Sequence, residues 1–318
     1  MRLSNRIAAT ALAAVMAVSM LTACGGGGGG STGGSSSSSS KPAGSTSTST
    51  STSTSTSTST STSTSTSTSG SGTVTAQKKQ WKETKTYSEV AVKYRKGKIN
   101  AAGTITETGK NGTNETPYKH VTDYKYVTDG KKEYSEIREG DAVMSTLSDG
   151  TNVFLTISGK DATSKKNVSY SFKMPKEYAE KMLDDINPSP LNVARSIKIA
   201  LTLQGKVEPK EMTVEQNKKI GAETYYAESF ELKGDVGYYC FKGTQLKKLL
   251  IENLDKPADS ETITFDTLND SPNAKDFDEP SDYYEISENG DFKPVGQPAP
   301  LPEPKATQNA NDMLKAIH

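Results

Sequence analysis

Residues 148–157 read Ser148-Asp149-Gly150-Thr151-Asn152-Val153-Phe154-Leu155-Thr156-Ile157. Asp-Gly is a tight-turn signal, because glycine enters the left-handed region without a Cβ clash. After the turn, Val153, Leu155 and Ile157 stand at every second position, the spacing of a strand with one face on a core. The stretch is half of a β-hairpin, and it sets the reading of the chain.

The same unit recurs on both sides. Val90, Val92 and Tyr94 alternate with polar residues or alanine, as do Tyr124 and Tyr126, then Ile263 and Phe265. Asp129-Gly130, Glu139-Gly140, Gly234-Asp235 and Lys242-Gly243 stand between such runs as turns. A succession of antiparallel hairpins is expected. The middle breaks the period. Pro175 opens a segment in which Tyr178, Ala179, Met182, Leu183 and Ile186 repeat at three-to-four spacing, and proline suits a first helical turn. Asn187-Pro188-Ser189-Pro190 ends it, and Leu191, Ala194, Ile197 and Leu201 form a second stripe. Two short amphipathic helices therefore interrupt the strands. Their stripes need a partner, and the inner face of the sheet is the large candidate.

The ends have another character. Arg2 and Arg6 precede the uncharged apolar run 7–20, too short for a comfortable membrane span. Leu21-Thr22-Ala23-Cys24 follows and resembles the lipobox of bacterial lipoproteins. That resemblance covers the leader alone. It implies cleavage before Cys24, a diacylglycerol on its thiol and a chain held at the outer face of the cell membrane, outside the cytoplasm. Two or more acyl chains, at about 0.8 kcal/mol per buried methylene, make such an anchor stable.

A hexaglycine, Gly25 to Gly30, and an unbroken Ser-Thr alternation from Ser45 to Ser69 come next. They bury nothing that offsets the entropy of ordering, so 25–73 reads as a tether. Such a chain reaches about 35–42 Å root-mean-square and roughly 160 Å when extended. Five prolines lie between Pro294 and Pro304, an extended tail, and 309–318 holds at most a short helical turn. The expected division is a signal peptide at 1–23, lipidated cysteine and disordered tether at 24–79, a folded unit at 80–290 and a disordered tail at 291–318. All fourteen tyrosines fall in the folded unit.

The folded unit resembles the lipoprotein-carrier family of the bacterial envelope, the LolA-like fold shared by LppX- and LprG-like lipoproteins. The carrying segments are the hairpin Ser148 to Leu155, Asn187-Pro188-Ser189-Pro190-Leu191 before the second helix, Gly221 to Phe230, Tyr239 to Leu246, and Asp276 to Tyr283. The match is best over 145–287, and it rests on the order of motifs that are individually common. It implies an α+β fold, a curved antiparallel half-barrel whose concave face is covered by the mid-chain helices. It also implies an apolar groove for a lipid, a lipid-linked protein or another amphiphile. The groove residues would be Met182, Leu183, Ile186, Leu191, Ala194, Ile197 and Leu201 from the helices, facing Val153, Leu155, Ile263 and Phe265. The low aliphatic content and many tyrosines pull the other way, toward a structural or sensory ectodomain with a filled core that meets protein or wall partners.

Enzyme chemistry finds little support. The chain has two histidines, His120 and the terminal His318, and the folded unit has no Gly-x-Ser-x-Gly elbow. His120 reads as a strand start with a surface or structural role. No glycine loop is completed by a lysine-serine pair, and Asp276, Asp278 and Glu279 lack the rest of a calcium loop. No catalytic residue, metal or cofactor is expected. With 38 basic and 38 acidic residues, nothing draws the chain to nucleic acid. A monomer is expected. Once Cys24 is lipidated Cys240 stands alone, and its place in Tyr238-Tyr239-Cys240-Phe241 reads as a buried small hydrophobe.

Overall fold

In the computed structural model the described residues are 76–301, apart from 112–115, 161–165, 185, 187, 204–207, 233, 257 and 288–290. The leader, Cys24, the tether and the last residues, with the expectations placed on them, lie outside this range.

Fifteen strands form one open sheet, and two meanders make up most of it. The first runs through β2 (Lys98–Asn111), β3 (Thr116–Asp129), β4 (Glu133–Glu139), β5 (Ala142–Ser148), β6 (Asn152–Lys160) and β7 (Asn167–Pro175). The second runs through β8 (Glu211–Ile220), β9 (Glu223–Leu232), β10 (Asp235–Lys242), β11 (Gln245–Asn253) and β12 (Ser260–Thr264). They join where β12 pairs antiparallel with β2, and β13 (Thr267–Asn269) continues along β2 after a step at Phe265 and Asp266. At the outer edges, β1 (Ala76–Gln80) adds to β8, while β14 (Tyr283–Ile286) adds in parallel to β7 and carries β15 (Phe292–Val295). The sheet is curved and does not close.

The hairpins carry the expected chemistry. The turns at Thr128-Asp129-Gly130 and Ser148-Asp149-Gly150 are copies of each other. In each, the hydroxyl accepts from the glycine N–H at 3.0 and 3.2 Å. The aspartate Oδ1 accepts from the next two amides, at 2.7 and 2.8 Å for Asp129 and at 2.8 and 2.6 Å for Asp149. Gly130 and Gly150 sit at φ 93° and 96°, where a Cβ would be strained. The Asn152 amide above all, with that of Thr151, holds the Asp149 carboxyl below the usual carboxylate range, against the opposing effect of burial.

The alternation read at Val153, Leu155 and Ile157 is β6 as built, and all three are buried in the core. The alternation at Val90, Val92 and Tyr94 is not a strand. Thr86–Ala91 forms a π-helical turn that runs into the α-helical turn Val92–Tyr94, together α1. Val90, Ala91 and Tyr94 are buried at helical spacing, whereas Val92 points out and is 48% exposed. A three-residue period-two signal does not discriminate between strand and helix here. What decides is the anchor at the start of α1. Glu228 on β9, fully buried, accepts from the N–H of Lys85 at 2.8 Å and of Thr86 at 2.6 Å. It also accepts from the hydroxyls of Thr86 at 2.7 Å and Tyr226 at 2.8 Å. Four donors satisfy the carboxylate, and two of them are the orphan amides of a helix start.

The mid-chain helices lie between the meanders in sequence. α2 (Lys176–Asp184) begins as β7 ends, and α3 (Pro190–Thr202) has Ser189 as N-cap and Pro190 in its first turn. The Ser189 hydroxyl accepts from Asn192 N–H at 3.2 Å. α2 packs on β6 and β7, and α3 packs on β3, β4 and β5.

Strands extend past both edges of the folded unit that composition suggested. Residues 76–79 belong to β1, paired with β8. At the other end Phe292 packs on Phe172 at 6.1 Å, Gln297 N–H donates to Asp282 at 2.8 Å, and the Tyr284 hydroxyl donates to the Ala299 carbonyl at 3.0 Å. Pro294 stands on the edge strand, where a missing N–H is tolerated.

Candidate functional site

The eleven residues proposed to line a groove all join one hydrophobic core. Nine are buried, and Ile186 and Leu191 pack against them half-buried. Val153, Leu155, Ile197 and Leu201 are 0% exposed. No space large enough for a water molecule therefore touches these four side chains, from the helices or from the sheet.

The helices do not supply the whole cover. Phe265 shares its surroundings with Tyr94 of α1 and with Tyr124, whose ring lies edge-on at 6.5 Å. α1 rests on β11 and on α3. A third helical element thus covers the second meander, and the sequence reading had assigned it to the sheet.

α3 is fastened to both meanders. Its Lys198 pairs with Glu133 of β4, and its Ala200 carbonyl accepts from the Tyr239 hydroxyl of β10 at 2.9 Å. It ends at Leu203, a non-glycine residue at φ 47°. Beneath this region, Tyr126 of β3 and Ser135 of β4 are paired in register; among the described residues the buried Ser135 hydroxyl lacks a hydrogen-bond partner, and the Tyr126 phenol has at most the Thr128 hydroxyl. Burial first, and then the Glu133 carboxylate, push the Tyr126 phenol up; the Thr128 hydroxyl offsets this only in part. A buried hydroxyl costs about 1–3 kcal/mol unless something answers it.

The nucleophile candidates are poorly placed. His120 Nε2 meets Glu139 Oε1 at 3.0 Å and the Thr122 hydroxyl at 3.2 Å. A relay needs the acid and the hydroxyl on opposite ring nitrogens, and here one nitrogen faces both. Burial pushes the Cys240 thiol up to about 12, which keeps it a small hydrophobe. Asp276 and Glu279 are engaged by lysines, Lys125 at 2.6 Å and Lys132 at 3.2 Å, and so tie the segment after β13 to the first meander. Among the described residues no cluster of histidine, cysteine and acids is suited to a metal.

No family model and no curated protein matches this chain. Among solved structures, the crystal structure of a DUF1329 family protein from Desulfovibrio piger aligns at 13% identity. It covers 58% of this chain and 91% of that one, with a TM-score of 0.23. A likeness of that size assigns neither fold nor function.

Proposed function

We propose that this protein is a non-enzymatic ectodomain of the bacterial cell envelope, tethered through a lipidated Cys24, that meets a protein or wall partner with its surface. The carrying observation is the packing between helices and sheet at Val153 and Leu155 of β6 and Ile197 and Leu201 of α3, which are wholly inaccessible. An acyl chain lodged there would need a void of its own, and these side chains border none. The half-barrel reading, with α2 and α3 on the concave face, fits this as a filled core. The leader motif and the long tether support a place outside the membrane.

A second reading keeps the amphiphile carrier, with α3 lifting to admit a ligand. The buried Ser135 hydroxyl, partnerless among the described residues, favours it, since a ligand's polar group would answer it. Extraction of the purified protein with organic solvent, followed by mass spectrometry, separates the two. The filled-core reading expects no stoichiometric non-covalent lipid. A defined lipid at one per chain would establish the carrier instead.

A further inference from the structure

A cleft of about 460 Å³ opens away from the seam, where α1, the start of β11 and the β12–β13 step meet. Its origin is topological. β11 pairs with β12 only from Lys248 onward, and the chain then turns off to β13 along β2. The Phe265 N–H bond to the Lys247 carbonyl at 2.9 Å closes the end of that pairing, and the sheet has a notch beyond it. α1 roofs the notch, held in place by Glu228. Its π-turn is of a kind that recurs at functional sites. The volume lies within the roughly 300–1,000 Å³ usual for small-molecule sites.

The lining selects the chemistry. Four of the residues that line the cleft are charged, Glu89 and Lys93 from α1, Lys247 from β11 and Asp266 from the step. None of the four forms an ion pair among the described residues. Glu89 accepts from the Ser88 hydroxyl at 3.3 Å, and Lys93 lies over the Tyr94 ring at 5.5 Å. Close by in sequence, Lys242 and Lys248 are both consumed by Glu223. The charges among the lining residues are therefore left over, two of each sign. An anion would gain two lysines and meet two carboxylates, and a cation would meet the reverse. A neutral sugar would want an open aromatic face, yet Tyr94 and Phe265 are only 2% and 3% exposed.

We propose that this cleft binds a small zwitterion, an amino acid or short peptide with free ends. Its carboxylate turns toward Lys93 and Lys247 and its ammonium toward Glu89 and Asp266. The inference goes beyond the tethered-ectodomain reading and stands or falls without it.

Calorimetric titration of the full chain tests it with three probes: dialanine, N-acetyl-dialanine and dialanine amide. Dialanine is expected to bind, and each capped form to bind at least about ten-fold more weakly, the loss of one charge-assisted contact. The double variant Lys93→Met, Lys247→Met should no longer distinguish dialanine from its amide. Glu89→Gln with Asp266→Asn should no longer distinguish it from the N-acetyl form. An unchanged melting midpoint certifies the variants; should one fail to fold, the capped probes on the natural chain still decide. Absence of dialanine binding, equal binding of the capped forms, or discrimination that survives both double variants would overturn the proposal.

Discussion

Gly103 and Thr264 meet so closely at the junction of the two meanders that a Cβ on Gly103 would lie 2.1 Å from the Thr264 carbonyl oxygen. That oxygen already accepts from the Tyr124 hydroxyl at 3.0 Å, and the hydroxyls of Thr104 and Thr264 meet at 2.8 Å. The contact is between backbones, so no side-chain rotation relieves it. Gly103→Ala should therefore cost about 3 kcal/mol, the upper end of overpacking penalties. The denaturant midpoint measures it. A shift below a few tenths of a molar would show that the junction yields freely.

Glu261 sits directly opposite Glu107 across the same junction and is 8% exposed. Burial first, and Glu107 second, push its carboxyl from 4.5 up to about 7. A raised carboxyl favours the protonated folded state. Its contribution is complete below the unfolded value near 4.5 and is lost as pH rises through about 7. Stability should fall by on the order of 3 kcal/mol from pH 5 to pH 8 through this group. Glu261→Gln should flatten that limb, and thermal melts across the range check it. A natural chain that gains stability over the interval would contradict the assignment.

The hairpins were legible because each turn is written locally. The Thr128-Asp129-Gly130 and Ser148-Asp149-Gly150 copies satisfy their own amides within five residues, and Val153, Leu155 and Ile157 repeat long enough to fix a face. The mid-chain helices were legible through Pro190 and the stripe from Leu191 to Leu201. α1 was not, because its start is capped by Glu228, more than 140 residues away in sequence, and Val90 to Tyr94 is too short to show a period. Tyr94 at four residues from Val90 was the available signal. Missing α1 hid the charged cleft as well, since Lys247 and Asp266 reach it only through the step after β12. Composition misplaced the edges for a related reason. β1 and β15 are polar or proline-bearing edge strands, whose order comes from their neighbours rather than from their own apolar content.

The proposed anchor is a separate matter of covalent chemistry. Cys24→Ala removes the thiol that would carry the diacylglycerol, so the chain should leave the membrane fraction or remain unprocessed. Labelling cells with a clickable fatty acid before fractionation reads both. Equal labelling and equal membrane retention in the variant would show that Cys24 is not the attachment point.

Ala194 is 5% exposed on α3 and belongs to the same core as Leu155 and Ile197. A closed seam has no room for an indole. Ala194→Trp should then overpack it, costing about 1–3 kcal/mol in the denaturant midpoint. The natural chain should bind no fluorescent fatty acid of any length. If α3 lifts, the outcomes reverse. The tryptophan would occupy space that opens for a ligand, leaving the midpoint close to that of the natural chain and abolishing a fatty-acid binding that the natural chain displays. The two measurements on one variant must move together, because a core residue and a groove residue differ in what their space is kept for. A stable variant with lost binding would replace the filled-core reading by the carrier. A destabilised variant beside a natural chain that binds no probe leaves α3 as a structural helix, held by the pairing of its Lys198 with Glu133 of β4 and by the Tyr239 hydroxyl of β10.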